Sequence, residues 1–120
     1  MKELFLVAFG GAFGSVLRWK LSQLTFFNLG KFPINTFITN ILATAVLGAV
    51  MFLFVRQSAF PKEIKLLIAV GFCGGLSTFS TFSLETFELI RSGDYWQAVA
   101  YPVLSLAGGL VVLGLIAKWA

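Results

Sequence analysis

The chain has 120 residues, of which 58% are hydrophobic and only 12% charged, and its mean hydropathy is +0.93. A soluble domain carries about 25% charged residues, so the composition excludes a water-soluble domain and makes lipid the solvent. The net charge of +4 comes from nine Lys or Arg against five acids. These basic residues lie near segment ends, as interfacial anchors do. No basic face interleaved with aromatics is present, which excludes nucleic acid as a partner.

The length allows a single domain, residues 1–120. There is no His and one Cys, Cys73. An internal disulfide, a Cys/His metal site and a Ser/His or Cys/His catalytic pair therefore have no members. Cys73 reads as a small packing residue, and an enzyme is the least expected class.

A membrane-spanning helix needs about 20 mostly apolar residues. Four stretches qualify: Leu4 to Phe27, Phe32 to Val55, Glu63 to Ile90, and Tyr95 to Trp119. The first lacks an A-x-A-like cleavage site and is too long for a signal peptide, so it is expected to stay as a membrane helix. The intervening "NLGKFP", "RQSAFPKE" and "RSGDY" carry turn chemistry, and Pro61 suits a helix start. Trp19, Trp96 and Trp119 fall towards segment ends, where interfacial aromatics sit. Gly10, Gly11 and Gly14 in the first segment, Ala43, Ala45, Gly48 and Ala49 in the second, and Ala107 to Gly109 with Gly114 in the fourth are small enough for close helix contact in lipid.

Four spans place Lys2, Arg56, Lys62, Lys65 and Lys118 on one side and Arg18, Lys20, Lys31 and Arg91 on the other. Orientation normally follows an excess of these residues on the cytoplasmic side, and five against four is almost none. Insertion in both orientations is expected, which allows an antiparallel two-fold homodimer with an isologous contact. A single orientation set by other features is the alternative.

From Pro61 to Arg91 an unbroken helix would run about 46 Å, against a hydrocarbon core of about 30 Å. A break is expected in "GFCGGLST". Glycine can end the first half, and Ser77 or Thr78 can cap the second. Non-helical backbone at membrane depth survives only where protein or water satisfies it, and broken helices there commonly form ion sites.

The stretch "GGLSTFSTFSLETFE", Gly74 to Glu88, then packs six hydroxyls into the ten residues Ser77 to Thr86. Helical spacing predicts one row of Phe79, Phe82 and Thr86 and another of Ser77, Thr81 and Glu85, with Ser80 and Ser83 close by. Hydroxyls donate to anions, and a phenyl ring has an electropositive edge. Such a path would hold an anion without a fixed charge, weakly enough for it to leave. The alternative is hydroxyls bonded back to their own helix beside lipid-facing rings. Asn40, mid-span with Thr36 and Thr39 beside it, is costly in lipid unless paired or functional. Tyr101 and Ser105 share a face of the fourth helix at i and i+4. Arg18 reads first as a structural anchor that snorkels and second as part of an anion-attracting vestibule.

"GFCGGLSTFSTFSLE" (Gly71 to Glu85) closely resembles the signature of the Fluc/CrcB fluoride channels. "GGAFGSVLRW" (Gly10 to Trp19) and "NTFITNILATAVLG" (Asn35 to Gly48) resemble the first- and second-helix motifs, and Tyr101 and Ser105 match in the fourth. The resemblance implies an all-α membrane protein: an antiparallel, dual-topology homodimer, four helices per chain with the third broken, in a bacterial cytoplasmic membrane. It implies two fluoride pores, with Asn40 as a donor, Phe79 and Phe82 as pore rings, and Ser80, Thr81 and Ser83 as a hydroxyl track ending at Glu85. Tyr101 and Ser105 would line the path, and a central Na+ would be held by the backbone carbonyls of Gly74 and Ser77 from both chains. Departures from the pattern are Ser77 for Thr, Trp19 for Tyr, Ser15 for Ala, and Thr39 and Ala43 for Val and Gly; Thr39 bears on the pose of Asn40. A proton-coupled exporter of small cations is the competing function, but it needs a carboxylate deep in the early segments, where only Glu3 is found. A non-transporting scaffold would explain the glycines but not the hydroxyl and aromatic rows.

Overall fold

The computed structural model describes residues 1–24, 30–54, 56 and 60–120. The expected span ends at Phe27 and Val55, and the turn residues Asn28, Leu29, Gln57, Ser58 and Ala59, lie outside the described residues. Every regular element among the described residues is helical. Helix α1 covers Lys2–Ser22 and α2 covers Ile34–Gly48, continuing as a wider π-helical turn over Ala49–Phe54. The third span comprises α3 (Lys62–Lys65), a π-helical stretch (Leu66–Phe72), α4 (Cys73–Leu76) and α5 (Phe79–Arg91). Helix α6 runs Tyr95–Trp119 with Pro102 inside it. Among the described residues, four helical stretches are thus long and apolar enough to cross a membrane.

Helix α1 ends at Ser22, earlier than hydropathy alone suggests. Helix ends leave carbonyls without intrahelical donors, and here the Asn35 amide supplies one: Nδ2 donates to the Ser22 carbonyl at 3.1 Å and to Leu24 at 2.7 Å.

Helix α1 packs on residues 66–76, α2 packs on α6, and α5 packs mainly on α6. Glycines set the first of these contacts. A Cβ at Gly10 would strike the Leu67 carbonyl, at Gly14 that of Phe72 and at Gly75 that of Gly11, and at Gly71 it would lie 2.7 Å from the Val7 oxygen. The two backbones therefore touch directly, the arrangement small residues permit in lipid. The expectation that a glycine of "GFCGGLST" ends the first half is corrected: Gly71, Gly74 and Gly75 are all helical, and the first half of the third span ends at Leu76.

Leu89, Ala98 and Tyr101 form a buried cluster, with Phe32, Phe37 and Phe82 packed against it. Large apolar side chains such as Phe5, Phe9, Phe13, Leu106 and Leu110 stay exposed, as a lipid-bathed surface allows. Crossed ion pairs tie the start of α1 to α3, Lys2 to Glu63 at 3.5 Å and Lys62 to Glu3 at 2.6 Å. At the other end, Lys31 pairs with Asp94 at 2.9 Å.

Candidate functional site

The site is organised by two extended residues. Ser77 (φ −81°, ψ 155°) and Thr78 (φ −150°, ψ 121°) separate α4 from α5. Each backbone group freed there needs a partner. The Ser77 N–H and Oγ both donate to the Cys73 carbonyl, at 3.0 and 2.8 Å. Thr78 caps α5, its Oγ1 accepting from the Thr81 N–H at 3.2 Å. Asn40 on α2 meets Thr78 on both sides: its Oδ1 accepts from the Thr78 N–H at 2.9 Å, and its Nδ2 donates to the Thr78 carbonyl at 3.4 Å. Arg18 reaches from α1, its Nε donating to the Gly75 carbonyl at 3.0 Å.

The break divides the expected site residues between two clefts. One, of about 420 Å³, brings Arg18, Thr81 and Glu85 together with Thr36, Thr39 and Thr78. The other, of about 520 Å³, gathers Asn40, Thr44, Ser77, Phe79, Phe82 and Ser105. The expected row of Ser77, Thr81 and Glu85 is corrected, because helical periodicity restarts after the extended pair and leaves Ser77 with the phenylalanines. Ser80 and Ser83 are exposed and border neither cleft, although Ser80 Oγ lies 3.3 Å from Thr78 Oγ1.

Tyr101 joins the two clefts. It is fully buried, its ring 4.9 Å from that of Phe82 and 5.4 Å from Phe32. Its hydroxyl donates to Glu85 Oε2 at 3.1 Å, while Thr36 Oγ1 donates to Oε1 at 2.6 Å. Both carboxyl oxygens are therefore held. Thr36 was absent from the expected site, yet it lies four residues before Asn40 on one helix face, a spacing that could have placed it. Thr44 Oγ1 bonds back to the Asn40 carbonyl at 2.8 Å and is oriented rather than free.

The Asn40 cleft combines polar side chains with rings. Phe79 and Phe82 lie 6.0 Å apart, centre to centre, and Phe79 is 80% exposed. Ser105 Oγ is buried and has no hydrogen-bond partner among the described residues. Pro102 borders the same cleft and has no N–H to give the Ala98 carbonyl. Such a surface can offer amide, hydroxyl and ring-edge hydrogens to a small anion. Among the described residues, no group of three or more His, Cys, Asp or Glu is placed to hold a metal.

The family described as CrcB-like protein, Camphor Resistance (CrcB), matches residues 5–116. The chain belongs to the CrcB family. A protein of Leptospira interrogans named fluoride-specific ion channel FluC is 45% identical over 91% of this chain and 87% of its own length. A protein of the same name from Escherichia coli is 41% identical over 96% and 91%. One from Ignicoccus hospitalis is 37% identical over 96% and 92%.

Proposed function

We propose that this CrcB-family protein is a passive, fluoride-selective channel that lets fluoride leave the cell, working as an antiparallel homodimer in a bacterial cytoplasmic membrane. The carrying observation is near-full-length similarity to relatives named fluoride-specific ion channels. Fluoride is small and strongly hydrated, so a dry path must replace its water with donors. Asn40, Ser105 and the edges of Phe79 and Phe82 supply them in one cleft, and Thr81 and Glu85 continue the polar lining past the break. Ser80 and Ser83, exposed on the protomer, complete the hydroxyl track in this proposal. The break at Ser77 and Thr78 then lies at membrane depth, where its backbone is satisfied by Asn40, Arg18 and the Thr78 cap. The donor cleft of one protomer is open at Phe79, and a second copy in opposite orientation closes it. The near-even charge count on the two sides supports both insertions.

A sodium ion at the dimer centre, held by the Gly74 and Ser77 carbonyls, belongs to the proposal. The donors fit a hard cation, which takes oxygen ligands. In an unbroken helix the Gly74 carbonyl would accept from the Thr78 N–H and the Ser77 carbonyl from the Thr81 N–H, but those donors go to Asn40 and Thr78 Oγ1. Gly74 is exposed beside a hollow of about 170 Å³ lined by Ala43, Ala69 and Cys73. When bound, the ion would offset the partial negative charge of carbonyls gathered from two copies. Thermal unfolding in Na+ against a bulky organic cation tests this without measuring flux.

The function is tested with purified protein in liposomes, by fluoride and chloride efflux. Rapid fluoride loss, negligible chloride loss and no need for a proton gradient are expected. A proton requirement with cation cargo would move the protein to the exporter class.

A further inference from the structure

Glu85 borders three clefts. The inner one holds Arg18 and the hydroxyls already described. The other two lie towards the span ends, one lined by Ser22, Asn35 and Thr36, the other by Lys31, Pro33, Glu88, Leu89 and Ser92. Both adjoin Glu85 near the span ends, so each offers an anion that passes Glu85 a way out. Among their described lining residues, Lys31 is the one basic side chain.

Lys31 is held by Asp94, with Nζ to Oδ2 at 2.9 Å, and the same Oδ2 accepts from Ser92 Oγ at 2.7 Å. Asp94 is itself fixed by the turn that ends α5. Gly93 takes φ +82°, the Asp94 N–H donates to the Leu89 carbonyl at 2.9 Å, and the Ala98 N–H donates to the Asp94 carbonyl at 2.9 Å. The pair therefore joins the chain before α2 to the α5–α6 turn across the mouth that Glu88 shares.

We propose that Lys31 is the anion-collecting residue of this mouth, and that Asp94 holds it there and moderates its charge. This role rests on the channel function proposed above. Two substitutions break the same contact with opposite changes of charge. Lys31→Gln leaves Glu88 and Asp94 uncompensated, whereas Asp94→Asn frees the ammonium. A charge in the mouth raises or lowers the local concentration of the permeant ion. One unit charge about 10 Å from the ion in water changes that concentration about twofold. The effect fades as the screening length falls from about 30 Å at 0.01 M salt to about 8 Å at 0.15 M. Exposed ion pairs add little stability, so both variants are expected to fold and dimerise like the parent.

The experiment is fluoride efflux from liposomes holding full-length parent, Lys31→Gln, Lys31→Arg and Asp94→Asn, at about 0.01 M and about 0.15 M ionic strength. The expected result at low salt is roughly a halving for Lys31→Gln, parental flux for Lys31→Arg and roughly a doubling for Asp94→Asn, all converging at high salt. A purely structural tie predicts that Lys31→Gln and Asp94→Asn change flux in the same direction at both salts, and that result overturns the proposal while leaving the channel intact. Unchanged flux in both variants also overturns it. A silent parent overturns the channel function, and the mouth with it.

Discussion

Asn40 and Thr78 are joined at two points, side-chain amide to backbone amide, across the only two extended residues of the third span. The asparagine thus supplies the acceptor that the Thr78 N–H has given up, while the Thr78 carbonyl, at the N-cap of α5, still serves the first helical bond. Asn40→Ala would strand the Thr78 N–H, at about 1–3 kcal/mol for an unsatisfied buried group. Asn40→Asp keeps the acceptor for the Thr78 N–H but loses the donor and places a carboxylate in the cleft lined by Phe79, Phe82 and Ser105. In detergent, Asn40→Ala is expected to unfold at lower temperature than Asn40→Asp, with fluoride flux lost in both. Equal melting of the two would show that the pairing does not hold the break.

The backbone contact of α1 with the third span predicts a steep response to a single methyl. Gly14→Ala forces the Phe72 carbonyl to move, and overpacking of this kind costs about 1–3 kcal/mol. Gly114→Ala enters open space and should leave stability unchanged or raise it by up to about 1 kcal/mol. Denaturation of the two variants side by side checks the contrast.

Tyr101 combines a packing role with a hydrogen-bonding one. Tyr101→Phe keeps the ring contacts with Phe82 and Phe32 and removes only the bond to Glu85, at about 0.5–1.5 kcal/mol. Tyr101→Ala adds a cavity and should cost about 3–5 kcal/mol. If the Glu85 bond matters for conduction, flux should fall in Tyr101→Phe even where melting barely changes, and in Thr36→Val, which removes the other donor. Full flux in both variants would show that the position of Glu85 is not limiting.

Phe79 and Phe82 should separate flux from protomer stability. Phe79 is exposed on the protomer while Phe82 packs on Tyr101, so Phe79→Ile should cost almost nothing in folding and Phe82→Ile roughly 1 kcal/mol. Both should cut fluoride flux while the protein elutes at the same size as the parent. Undiminished flux in both would remove the rings from the mechanism.

Acid should loosen the α5–α6 turn. The Ser92 hydroxyl, and then Lys31, hold the Asp94 carboxyl below the usual carboxylate range. A depressed native value means that the stabilisation is present at neutral pH and is lost as pH falls through that lowered value. Amide exchange at Ser92 to Asp94 should therefore gain protection relative to Asp94→Asn at neutral pH and lose that advantage below the ordinary carboxylate pKa of about 3.9.

The four spans were legible because each is a long apolar run, and the fourth lies where its sequence bounds put it, Tyr95–Trp119. The hydroxyl cap was legible because Ser77 and Thr78 follow a glycine pair, although only Thr78 caps. The division of the site was not. A row drawn at helical spacing runs straight through Ser77, and two extended residues reset the phase. Arg18 was placed at a helix end, but its acceptor is the Gly75 carbonyl, and a backbone oxygen carries no mark in a sequence. The π-helical stretches at Ala49–Phe54 and Leu66–Phe72 were equally invisible, since their apolar residues suit either winding.

The glycine contact bears on how the protein can move. From Leu67 to Gly75 the third span meets α1 backbone against backbone at Gly10, Gly14, Gly71 and Gly75. Beyond Ser77 and Thr78 it changes allegiance, and α5 rests mainly on α6 through Tyr101, Phe82 and Leu89. One span is therefore shared by two mechanical bodies, stiff on one side of the joint and side-chain-cushioned on the other. Any rocking of the ring-bearing half must turn about Thr78, where the Asn40 amide acts as the pin of the hinge.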